Sequence, residues 1–152
     1  MENLVTIRPE SIESEDAKTL IGELNQILTV IVGEDGSANF SNTDVEQERS
    51  VFLIARVDEK PYGCGALRML SGDTAEIKRV YARKNQLGIG SRILRELEKQ
   101  AAGFGYKKLL LETRVQNVNA RNFYEKNGYR HCEAYGKYVG NKNSYCYCKE
   151  LE

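Results

Sequence analysis

An α+β fold on a mixed sheet is what this sequence predicts, and three observations predict it. Short segments enriched in strand-forming residues recur along the chain; other segments repeat their apolar residues at helical spacing; and the order that results is β-α-loop-β-β-β-α-β-α-β-β. Three successive strands joined by tight turns pair antiparallel, whereas a strand, a helix and a strand require a crossover. A single sheet therefore has to hold both kinds of pairing. At 152 residues the chain fits one domain, taken as residues 1–152.

Taken in order, "LVTIRP" alternates as a strand does. "SEDAKTLIGELNQILTVI" follows, with Ala17, Leu20, Ile21, Leu24, Ile27 and Leu28 on one helical face. "GEDGSANFSNTDVEQERS" is polar and rich in turn formers, so it reads as a loop with room for a short helix. "VFLIARV" and "YGCGALRML" are strands around the turn "DEKP", and "TAEIKRVYA" is the third strand of the meander. A second helix then buries Ile89, Ile93, Leu94, Leu97, Ala101 and Phe104, and "GFGY" stops it. "KKLLLETRV" is a strand, and "NARNFYEKNGY" is a short helix ended by Asn127 and Gly128. "RHCEAYGKYV" and "SYCYCKEL" close the chain as a hairpin around "GNKN".

Composition excludes several functions. The 22 basic and 22 acidic side chains balance, which argues against a general nucleic-acid face. No apolar run approaches the roughly 20 residues of a membrane span, and the N-terminus lacks a secretory pattern, so no membrane partner is expected and the cytoplasm is the default compartment. Cys64, Cys132, Cys146 and Cys148 have no zinc-type spacing and read as buried free thiols; no metal is expected. His131, the single histidine, has no G-x-S-x-G elbow to join and reads as an ordinary half-buried or surface residue.

The most informative stretch is "KNQLGIGSRILRELEKQ", Lys84 to Gln100, where a strand meets a glycine turn and a helix in close succession. Glycine lets a backbone turn tightly or approach a ligand, and a helix N-terminus offers unpaired N–H groups. Together they form an anion site, often for phosphate, or simply a tight connection. The turn is not a P-loop, because the Walker lysine is missing after Gly90, and Ile93 stands where a dinucleotide fingerprint needs its third glycine.

From Thr74 to Arg130 the sequence resembles the GNAT superfamily of acyl-CoA-dependent N-acyltransferases. The strand "AEIKRVYA" runs into "NQLGIGS", which is similar to the family's Arg/Gln-x-x-Gly-x-Gly/Ala pyrophosphate loop. "NVNARNFYEKNGY" is similar to the family's Asn-x-x-Ala-x-x-hydrophobic-Tyr-Glu-x-x-Gly-aromatic signature, and "GCGALR" looks like a subset of bacterial members. Two features depart from the pattern. Asn85 occupies the usual Arg or Gln position, and the loop from Tyr81 to Gly88 is about two residues short. The resemblance implies a GNAT-like fold with helices on both faces of the sheet. It further implies N-acetyl transfer from acetyl-CoA, as cosubstrate, to a small-molecule primary amine by direct attack in a ternary complex. Transfer to a protein or peptide, and a CoA-binding sensor without turnover, are the alternatives, and a homodimer is left open.

On the same resemblance, the backbone of Leu87, Gly88, Ile89, Gly90 and Ser91 cradles the pyrophosphate. Backbone groups of Val80 and Tyr81 pair with the pantetheine arm as an added strand would, and Asn117 contacts the cofactor or caps a helix. The chemistry has two proton problems. An alkyl amine near pKa 10.4 is only about 1 part in 2,000 unprotonated at pH 7, and the departing thiolate gains from a proton. Glu76 is the candidate base, with an ion pair to Lys78 or Arg79 as its structural alternative. Strict alternation would set Glu76, Lys78 and Val80 on one face and Ile77, Arg79 and Tyr81 on the other. Tyr124 is the candidate acid near the thioester sulfur, with Phe123 turned into the core and Glu125 and Lys126 on a solvated face. The acceptor pocket would draw on the first helix, the loop after it and the last hairpin, whose tyrosines (Tyr135, Tyr138, Tyr145, Tyr147) either line it or pack the sheet.

Overall fold

In a computed structural model that describes residues 3–152, seven strands form one sheet in the order β1-β2-β3-β4-β5-β7-β6. The strands are β1 (Val5–Pro9), β2 (Val51–Val57), β3 (Lys60–Met69), β4 (Thr74–Ala82), β5 (Lys108–Arg114), β6 (Arg130–His131) and β7 (Ser144–Glu150). The helices are α1 (Glu15–Val32), α2 (Ile89–Gly103) and α3 (Val118–Lys126). β1 to β4 form the expected antiparallel meander, β4 and β5 are parallel across the α2 crossover, and β7 lies antiparallel between β5 and β6.

Local chemistry sets the helix ends. The Ala17 N–H donates to the Ser14 hydroxyl at the start of α1, where Glu15 and Asp16 face the positive dipole end. Gly33 ends α1 in the left-handed region at φ 83°. The polar loop that follows carries two single-turn 3₁₀ segments, Ser37–Asn39 and Asn42–Val45. The closing strands are less regular than expected. β6 is two residues long, and residues 132–143 arch away around a 3₁₀ turn, Gly136–Tyr138, before β7 begins.

The sheet buries a separate apolar cluster on each face. On one face α2 packs Ile89, Ile93, Leu94, Leu97 and Ala101 against Leu53, Leu67 and Ile77. On the other, Ala17 and Leu20 of α1 pack against Phe52, Ile54, Cys64 and Ala66. Burying these side chains contributes roughly 1.5–3 kcal/mol for each large one. The sheet is thereby held firmly on both faces, and function falls to the place where its strands separate.

Candidate active site

That place is the gap between β4 and β5. The two strands stay paired for three residues each, Thr74, Ala75 and Glu76 with Lys108, Leu109 and Leu110. Beyond them the strands part, and a cavity of about 410 Å³ opens between residues 77–82 and 112–114. Backbone groups of β4 that point toward β5 along this stretch have no strand to pair with, so they can receive an extended ligand. Leu24, Leu28 and Ile31 of α1 wall one side, and Asn117, Ala120, Phe123 and Tyr124 wall another. The last turns of α1 explain the apolar wall. Its buried residues, Ala17, Leu20 and Leu24, go no further than the middle of the helix, while Ile27 and Ile31 remain 43% and 38% exposed and line the cavity.

The glycine turn lies at one end of this gap. Gly88 has φ 67°, a left-handed value suited to glycine, and it caps α2 without a side-chain bond. The Asn85 carboxamide oxygen accepts from the Leu87 N–H at 2.9 Å and the Ile89 N–H at 3.2 Å, while its nitrogen donates to the Arg83 carbonyl. The N–H groups of Gly88, Gly90 and Ser91 make no hydrogen bond among the described residues. Three free donors at a helix start fit an anion. Gly90 lines the cavity, and a Cβ there would lie 3.1 Å from two ring carbons of Phe123, so a side chain at Gly90 requires the Phe123 ring to shift.

Tyr124 lines the cavity, and its hydroxyl makes no hydrogen bond among the described residues. Its ring is fixed by Phe123, Tyr129 and Tyr147 at centroid distances of 5.2, 5.8 and 6.1 Å. Burial pushes the phenol above its ordinary pKa, so at neutral pH it is a donor. Phe123 packs on the α2 cluster, as expected, but also borders the cavity. Asn117 is 8% exposed and uses its carboxamide oxygen to cap α3, accepting from the Ala120 N–H at 3.3 Å. Its amide nitrogen has no partner among the described residues, and the residue lines the cavity.

β4 does not alternate strictly. Cys64 pairs with Tyr81 and Ala66 with Lys78, so Gly65 alone stands opposite both Arg79 and Val80. This is a β-bulge, and Arg79 occupies it at φ 56°. Two expectations need correcting as a result. Val80 joins Ile77 on the α2 face rather than sharing a face with Glu76, and Tyr81 turns to the α1 face. The Tyr81 hydroxyl donates to Glu23 at 2.7 Å, and burial, aided by that contact, pushes its pKa up to about 12. Both Lys78 and Arg79 line the cavity.

Glu76 is fully buried and is absent from the cavity wall. Its Oε1 accepts from Arg68 Nε at 2.8 Å and lies 2.7 Å from Arg68 Nη2, and its Oε2 accepts from the Tyr135 hydroxyl. The Lys78 ammonium is 4.0 Å away, and Lys78 is the member of this network that lines the cavity. The strong ion-pair partner is therefore Arg68, which sequence reasoning missed. Arg68 is the cross-strand partner of Glu76, so counting outward from the β3–β4 turn could have found it. None of the four tyrosines near the C-terminus lines the cavity. Tyr135 and Tyr138 bond Glu76 and Lys78 from the arch, Tyr145 stacks on the exposed His131 at 4.1 Å, and Tyr147 donates to Glu125.

Comparison with known proteins agrees with this architecture. The family model described as "Acetyltransferase (GNAT) family" matches residues 18–129. An IAA acetyltransferase of Azospirillum brasilense is 30% identical over 137 residues, covering 88% of this chain and 90% of its own. Among solved structures, an acetyltransferase from Streptococcus agalactiae 2603 superposes with a TM-score of 0.80 at 18% identity, covering 97% of this chain and 98% of its own. A GNAT family acetyltransferase from Elizabethkingia anophelis, solved with acetyl-CoA bound, does so with a TM-score of 0.71 at 18% identity and the same coverage of each chain. The structural likeness carries the fold.

Proposed function

The chain belongs to the GNAT acetyltransferase family, and from that premise we propose that this acyl-CoA-dependent N-acetyltransferase moves an acetyl group from acetyl-CoA to the primary amine of a small molecule, by direct attack in a ternary complex. One observation carries the reading. The same gap in the sheet has free N–H groups of Gly88, Gly90 and Ser91 at one end and the unbonded Tyr124 hydroxyl on its wall. A cavity of about 410 Å³ beneath α1 suits a small acceptor rather than a folded protein surface.

Gly88, Gly90 and Ser91 donate to the pyrophosphate, with Leu87 and Ile89 completing the cradle if the Asn85 oxygen is displaced. The exposed edge of β4 at Val80 and Tyr81 pairs with the pantetheine amides, and the free Asn117 nitrogen donates to the same arm. The amine nitrogen forms a bond to the thioester carbon while the carbon–sulfur bond breaks. Tyr124 gives its proton to the departing sulfur and is later reprotonated from solvent. The amine reacts as its free base, and its proton leaves through the open mouth of the cleft. Glu76, held behind the wall, acts as a positioning residue that fixes Arg68 and keeps a negative charge beside Lys78.

The test is calorimetric titration of acetyl-CoA, followed by a screen of small amines with thiol detection of released CoA. Binding together with amine-dependent release is expected. Binding without release for any small amine, with release on peptides, would move the acceptor to proteins; binding with no release at all would make the chain a sensor.

A further inference from the structure

We propose that the acceptor is an amine that also carries a carboxylate, and that Arg79 and Lys78 bind that carboxylate; the inference rests on the transfer reaction proposed above. Regular alternation would send residues 78 and 79 to opposite faces of the sheet. The bulge opposite Gly65 instead turns both onto the α1 face, where both residues line the cavity. The chain holds a non-glycine residue at φ 56° to achieve this. Such conformations persist where the surroundings enforce them, and they gather at binding sites.

The hydrogen bonds of both cations go to neutral groups, and among the described residues the one carboxylate within 4.0 Å of either is Glu76, beside Lys78. Lys78 has a side chain only 9% exposed and donates to the Tyr138 hydroxyl at 2.9 Å. Arg79 donates to the Asp35 carbonyl at 3.0 Å and to the Asn25 carboxamide oxygen. The nearby acids are engaged elsewhere. Glu76 is held by Arg68 and Tyr135, Glu34 and Glu112 by Arg114, and the Asp35 carboxylate accepts from the Ser37 N–H. Charges so desolvated need a partner, and burial lowers the pKa of both Lys78 and Arg79. An anion in the cavity supplies that partner for Arg79 and a second one for Lys78.

The phosphates of the cofactor are not that anion. Their cradle begins at Leu87, on the far side of residues 80–82, so positions 78 and 79 face the acyl end, where the acceptor arrives. A singly charged group fits better than a phosphate dianion, because Glu34 and Glu112 also border the cavity and repel further negative charge. The planar guanidinium fork of Arg79 suits a carboxylate.

The experiment titrates N-acetyl amino acids, with small, apolar, aromatic and acidic side chains, into CoA-loaded protein, each beside its C-terminal amide. Acids are expected to bind roughly 10–100-fold more tightly than their amides. Arg79→Gln should erase that preference while leaving acetyl-CoA affinity within about threefold. Asn25→Ala loosens the same strut but keeps the charge, so it should retain the preference. Equal binding of acids and amides, no binding of any acid, or an Arg79→Gln loss that is the same for both would overturn the inference. Failure of the transfer reading is seen separately, as acetyl-CoA that does not bind or CoA that no amine releases.

Discussion

The Asn85 carboxamide oxygen accepts a hydrogen bond from the Leu87 N–H at 2.9 Å, and the same oxygen takes the Ile89 N–H at 3.2 Å. This side chain therefore supplies the cap that Gly88 cannot give α2. It also places its oxygen where the pyrophosphate is proposed to sit. Asn85→Asp keeps the shape and adds a negative charge. The thermal midpoint should hold or rise, because an acid suits a helix start. Acetyl-CoA affinity should fall about tenfold at low salt, and less at high salt. Unchanged affinity by calorimetry would put the pyrophosphate elsewhere.

Glu76 and Arg68 form a buried pair, so Glu76→Gln should act first on stability. Removing the carboxylate charge leaves Arg68 with Asp44, at 2.6 Å, as its acidic partner. A loss of about 3 kcal/mol is expected in urea unfolding. Residual turnover should fall by the same factor at every pH, because Glu76 does not line the cavity. A deficit confined to neutral pH, recovering at high pH where free amine is plentiful, would make Glu76 the proton acceptor instead.

Acid stability should report on the clamp between α1 and the end of β4. The Arg83 guanidinium, 2.7 Å from Glu23, and the Tyr81 hydroxyl hold the Glu23 carboxyl below its ordinary value of 4.5. A lowered folded-state pKa gives stability that is present above the unfolded value and is lost as pH falls through the folded one. Wild type should therefore lose stability more steeply than Glu23→Gln below about pH 4.5. The difference should stay under about 1 kcal/mol because the pair is partly exposed. Parallel pH profiles would show that the clamp contributes nothing.

Much of the fold was legible because its signals are local. Ser14 before α1, the glycines before α2 and the Asn127–Gly128 pair after α3 mark helix ends in the residues themselves. The bulge carried no such mark. No glycine or proline interrupts β4, and the extra residue is visible only as a mismatch with Gly65 on the neighbouring strand. Strict alternation therefore failed from Arg79 onward, and with it the placement of Val80 and Tyr81. The arch of residues 132–143 was also hidden. Its tyrosines are held by Glu76 and Lys78, contacts some 60 residues distant in sequence. Tyr124 and Gly90 were legible as cavity residues because their motif fixes both spacing and neighbours, whereas the pairing of Glu76 depended on strand register.

Tyr124→Phe is the most direct test of the proposed chemistry. The substitution deletes one oxygen and keeps a ring already wedged among Phe123, Tyr129 and Tyr147. The lost hydroxyl makes no hydrogen bond among the described residues and faces the cavity. Stability should thus change by less than about 1 kcal/mol, since no internal partner is left unpaired. If the phenol protonates the departing sulfur, turnover should fall about 10²–10⁴-fold, the range of a lost general acid. Acetyl-CoA affinity should change far less, because the loss is made in the transition state rather than in binding. Turnover with a good amine and cofactor affinity by calorimetry, on one preparation, separate the two. Wild-type turnover would leave Tyr124 as a packing residue and give the acid role to water. A large loss of affinity with turnover intact at saturation would restrict it to binding.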